Sequence, residues 1–175
     1  MPQTLKLEFE EYLQHAFPGI LDEGEPDPRA YAYSRHELGG DLPNGTEERV
    51  VQATSRAVDI FGATFPGPGS LWVLAYEYPE PQLFTGTPDY LQALLEEAGG
   101  PIYKAQETTD GETVVIYISR FDPRSAAAPA ILRAIANNEM GFEPSLNQRI
   151  YFFDPAADRG FMMYDDRGCF VWTAA

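Results

Sequence analysis

The chain has 175 residues, 44% of them apolar and 13% aromatic, which suffices for one hydrophobic core and is short for two. Twelve Lys and Arg against twenty-seven Asp and Glu leave a net charge of −15, a field that repels nucleic-acid phosphates and anionic lipid headgroups and attracts basic proteins or cations. A lone cysteine, Cys169, excludes an internal disulfide and a thiolate metal cluster, and the longest apolar runs, 71–76 and 114–118, are too short to span a bilayer.

The first residues lack the basic and then apolar order of a secretion signal, so a cytoplasmic location is expected. Leu5, Phe9, Tyr12, Leu13 and Ala16 recur at helical spacing over 4–17, with Pro18-Gly19 as the stop. An acidic, proline-rich loop follows over about 21–29. The helix before it is too short to fold alone and is expected to dock on the same core as the rest. Residues 31–38 (YAYSRHEL) read as a first strand, ended by Gly39-Gly40. Thr46 is a fitting N-cap for the next helix, with Glu47 and Glu48 opposite the positive end of its dipole. Val50, Ala53, Ala57, Val58, Phe61 and Phe65 share one face of that helix, and Pro66 to Gly69 end it.

Residues 71–78 (LWVLAYEY) are almost continuously apolar at the start, the pattern of a central strand, and Pro79 and Pro81 close it. Thr87-Pro88-Asp89 starts a short helix that ends at Gly99-Gly100. Strands over 102–107 and 112–120 flank Thr109-Asp110-Gly111, an Asp-Gly hairpin signal. Asp122-Pro123 caps a helix running to Asn137-Asn138. The end of the chain reads as a three-stranded meander over 149–154, 159–164 and 169–173, turning at 155–158 and at Asp165-Asp166-Arg167-Gly168. The expected fold class is therefore α+β: a mostly antiparallel sheet with helices packed on one face. It forms a single domain over 1–175, with the helix and acidic loop of 1–29 attached to a sheet-and-helix core over 30–175.

No motif carries a catalytic assignment. His15 and His36 are far apart and sit in no metal-binding array, and the acidic loop at 22–27 lacks the calcium-loop pattern. No GxSxG is present, and Gly67-Pro68-Gly69-Ser70 lacks the lysine of a phosphate-binding loop. Neither a metal nor a cofactor is expected. Two clusters stand out. In the strand Ser34-Arg35-His36-Glu37-Leu38, Arg35 and Glu37 point to one face, where they form a surface ion pair or hold a ligand. In Tyr164-Asp165-Asp166-Arg167-Gly168, the carboxylates are good turn formers that can equally grip a basic or polar partner.

These clusters, with Arg49, Gln52, Ala53, Arg56 and Ala57 on the helix between them, with Leu71-Trp72-Val73-Leu74, with 134–141 (AIANNEMG) and with the ending YFFDP…FMMYDDRGC, resemble an uncharacterised bacterial family, the domain-of-unknown-function 3885 family. The chain departs from that pattern at His36, where an aromatic residue is usual. The resemblance implies one fold unit and supplies no catalytic residues. Small acidic bacterial domains of this sort resemble immunity proteins, which block a toxin by binding it. The expectation is a non-catalytic binding protein for a basic partner, a toxin for example, contacting it through Arg35, Glu37, Tyr164, Asp165, Asp166 and Arg167. The alternative is a small hydrolase or transferase acting on a polar metabolite, which requires a pocket where Arg35 and Glu37 meet Asp165 or Asp166. A third reading is a domain that oligomerises through its sheet; the sequence sets no oligomeric state.

Overall fold

Residues 71–76 are apolar at every position. Because side chains alternate along a strand, both faces of such a strand must be covered. The computed structural model, which describes residues 2–79, 84–109 and 111–174, meets that demand. Its strands β1 (Ala32–Glu37), β2 (Leu71–Glu77), β3 (Ile102–Thr109), β4 (Glu112–Phe121), β5 (Arg149–Asp154), β6 (Arg159–Asp165) and β7 (Gly168–Thr173) form one sheet in the order β1-β7-β6-β5-β2-β4-β3. Every neighbouring pair is antiparallel. The fold is α+β, β5-β6-β7 is the predicted meander, and β2 lies inside the sheet as its composition requires.

Leu71, Val73 and Ala75 of β2 face three helices: α2 (Glu47–Thr64), α3 (Tyr90–Gly99) and α4 (Ala127–Asn138). Trp72, Leu74 and Tyr76 face the other way. There α1 (Pro2–Ala16) lays Phe9 against Trp72 and Phe153, with ring centroids 5.3 and 5.8 Å apart, and Phe17 follows at 5.7 Å from Phe153. Burying each of these rings stabilises the fold by roughly 1.5–3 kcal/mol. The expectation that the first helix shares a core with the others is thus corrected. Three helices cover one face, and α1 covers part of the opposite one with a second core of its own.

One helix start also shifts. The Asp122 carboxylate accepts from the Arg124 amide at 2.9 Å and the Asp122 carbonyl from the Ser125 amide at 3.1 Å, so Asp122-Pro123 builds a turn and α4 starts only at Ala127. Helix α3 starts at Tyr90, directly after Thr87-Pro88-Asp89 as the sequence suggests, and Thr87 exchanges backbone and side-chain hydrogen bonds with Ser145, each at 2.8 Å, which tie two loops together. Thr46 does cap α2, accepting from the Arg49 amide at 3.3 Å. Asp110 of the predicted hairpin turn and Pro81 lie outside the described residues, while β3 and β4 pair from Thr109↔Glu112 to Ile102↔Ser119. Among the described residues, no helix is long and apolar enough to cross a membrane.

Candidate functional site: a cleft where the sheet splits

Positions 49, 52 and 56 lie on one face of α2, and their side chains close over the chain leaving β1. Arg49 donates to the carbonyls of Gly40 and Leu42 at 3.2 and 2.7 Å, Gln52 to those of Leu38 and Gly39 at 3.3 and 2.9 Å, and Arg56 to that of Leu38 at 2.9 Å. The Arg49 guanidinium also meets Asp166 at 2.5 Å, with the two side chains only 8% and 2% exposed. A Cβ on Gly39 would collide with that guanidinium, so glycine is required there for close approach. The amide of Leu38 donates to the Arg167 carbonyl at 3.0 Å. The β6–β7 turn, the end of β1 and α2 are thereby clamped around one buried ion pair.

The two adjacent turn carboxylates therefore have different partners. Asp166 points to Arg49, whereas Asp165 is held by Arg167, whose amide and guanidinium both donate to it at 2.5–3.1 Å. Arg35 donates to the Tyr164 hydroxyl at 2.7 Å and to Glu37 at 2.8 Å, on an exposed strand at the edge of the sheet. Gly168 makes room for this contact, because a Cβ there would run into the Tyr164 hydroxyl. Arg35 thus joins Glu37 to Tyr164, and among the described residues no hydrogen bond or ion pair links Arg35 or Glu37 to Asp165 or Asp166.

A concavity lies beside this turn. The ladder between β5 and β6 has only three rungs, Phe152↔Phe161 to Asp154↔Arg159, although β5 begins at Arg149 and β6 continues to Asp165. Past Phe152 and Phe161 the two strands part. The resulting cleft of ≈ 1420 Å³ is lined by Arg149 and Tyr151 on one side and by Met162, Tyr164 and Asp165 on the other. Ile135 and Glu139 line it from the three-helix face, and Phe170 from the opposite face. Of the predicted site residues, Tyr164, Asp165 and Arg167 line the cleft; Arg35 reaches it through Tyr164, Glu37 through Arg35, and Asp166 anchors the turn behind it.

One wall was not foreseen. Glu25, in the acidic loop, accepts from Arg149 at 3.0 Å, from the Tyr151 hydroxyl at 2.5 Å and from the Tyr78 hydroxyl. Burial, and then the Glu25 charge, push both phenols well above the ordinary tyrosine range. Pro26 and Pro28 are buried, so the acidic loop is a strap fastened across the mouth of the cleft. Its acidic, proline-rich composition marked a loop. The tyrosines that fix it sit more than fifty residues away in sequence, and no local pattern joins them to it.

The family described as a domain of unknown function, DUF3885, matches residues 9–175. The chain belongs to this family. No curated protein and no solved structure matches it. In this DUF3885 chain the motif residues fall into two groups. Arg49, Gln52, Arg56, Gly39 and Asp166 build the clamp, while Tyr164, Asp165 and Arg167 turn toward the cleft. Glu139, Asp165 and Asp166 bring one oxygen each within 4.8 Å of one another. Arg167 and Arg49 neutralise two of these three carboxylates, so guanidinium groups already meet most of the local charge. Burial first, then the charge of Asp165, raise the Glu139 carboxyl above its ordinary value.

Proposed function

We propose that this domain is a non-catalytic binding protein of the cytoplasm, an inhibitor of the immunity type, and that a basic protein seats part of its surface in the cleft between β5 and β6. The observation that carries this reading is the make-up of the cleft in a chain of net charge −15: it is lined by the rings of Tyr78, Phe84 and Phe170 and by five carboxylates, Glu25, Asp27, Glu112, Glu139 and Asp165, against three arginines, Arg29, Arg149 and Arg167. Aromatic surface anchors a partner, and the surrounding charge selects its sign and speeds encounter. Asp165 is already met by Arg167, so an arriving lysine or arginine is received by Glu139, which has no ion pair among the described residues.

The reading is tested by co-purification from the source cells at low and high salt. The expected result is a basic protein retained at low salt, released at high salt and lost with Glu139→Lys. Equal loss with Val51→Lys, on an exposed face of α2 outside the cleft, or the absence of any retained basic protein, would overturn it.

A further inference from the structure

Beyond the last β5–β6 rung, β5 keeps its partner β2 from Arg149 to Phe153, and β6 keeps β7 as far as Asp165. On the sides facing each other, Arg149–Tyr151 and Met162–Asp165 have no ladder partner among the described residues. Two side-chain amides of the cleft lining are in the same state. Gln148 Oε1 and Asn138 Nδ2 are buried and have no hydrogen-bond partner among the described residues. The orientation of Gln148 is set, because its Nε2 donates to Glu77 at 2.8 Å and so leaves Oε1 as a free acceptor.

An extended polypeptide offers alternating N–H and C=O groups along both of its edges and so answers both strand edges at once. We infer that the cleft takes a short extended segment of the partner as an added strand between β5 and β6. The basic character of that segment rests on the function proposed above, whereas its backbone pairing does not. Since β5 and β6 are antiparallel, the segment runs parallel to one and antiparallel to the other. Three residues of β5 and four of β6 lack a rung on the facing side only and admit a pairing length of three or four residues. Alternate side chains then meet different walls: apolar ones face Tyr151, Tyr164 and Phe170, and basic ones face Asp165 and Glu139.

The test uses three capped hexapeptides: alternating lysine and valine, alternating glutamate and valine, and the lysine peptide N-methylated at every second residue. Binding is read by fluorescence anisotropy, and hydrogen exchange is followed at residues 149–151 and 162–165. The lysine peptide is expected to bind and to slow exchange at those amides, with N-methylation weakening it at least tenfold and the glutamate peptide weaker still. If the N-methylated peptide binds equally well, strand addition is overturned and the basic-partner reading stands. If lysine and glutamate peptides bind alike but N-methylation still weakens them, the added strand stands and the charge reading fails. Binding by none of the three overturns both.

Discussion

The Arg49–Asp166 and Arg35–Glu37 pairs join the same types of group at nearly the same distance, 2.5 and 2.8 Å, and both lie within reach of the β6–β7 turn. They differ in solvent. The side chains of the first are 8% and 2% exposed, those of the second 44% and 65%. Water screens the edge-strand pair and readily takes the place of either partner, so that pair contributes little to stability. In the clamp, removing one partner strands the other in a medium that cannot solvate it. The same chemistry thus serves two ends: the buried pair holds the cleft wall in place, and the exposed pair sets Arg35 beside Tyr164.

Asp166→Ala should break this contrast most strongly. With Arg49 left buried and unpaired, unfolding free energy should fall by about 3–5 kcal/mol, measured by urea denaturation. The double variant Arg49→Met/Asp166→Leu should recover a good part of that loss, because two apolar side chains leave no stranded charge. Gly39→Ala presses a methyl group into the Arg49 guanidinium and should cost about 1–3 kcal/mol in the same assay.

The strap gives a pH test of intermediate size. The Tyr78 and Tyr151 phenols are raised above their ordinary value of 10.0 in the folded state. The unfolded chain loses these protons first, so it binds fewer protons than the native state once the pH passes about 10, and stability falls from there upward. Denaturation midpoints between about pH 9 and 11.5 should decline, and less steeply in Tyr151→Phe. Cys169, whose thiol burial pushes up to about 12, should react with a thiol reagent only as fast as the protein unfolds. At the weak end, Glu37→Ala should leave the denaturation midpoint unchanged within error; a shift as large as that of Asp166→Ala would show that exposure does not separate the two pairs.

Most elements of the fold were legible because each is written in local sequence. The Thr46 cap and the apolar face from Val50 to Phe65 announce α2, and the proline-glycine run after it ends the helix. The unbroken apolar start of β2 announces an interior strand. The same residues also held the information that both sheet faces are covered, since Trp72, Leu74 and Tyr76 point away from Leu71, Val73 and Ala75. What they did not name was the helix that covers the second face, because any amphipathic helix can meet an apolar surface. The site was legible in part: Tyr164, Asp165 and Arg167 reach the cleft, but Glu25, Tyr78, Arg149 and Tyr151 are brought together only by long-range packing.

Local order along the chain, the Thr46 cap of α2, the apolar periodicity and the family itself were determined by the sequence alone, because each depends on residues a few positions apart. The division of Asp165 and Asp166 between two arginines, and the parting of β5 from β6, were decided by tertiary structure. A carboxylate's partner depends on which distant guanidinium shares its solvent-free space, and an open edge depends on which strand fails to continue beside it.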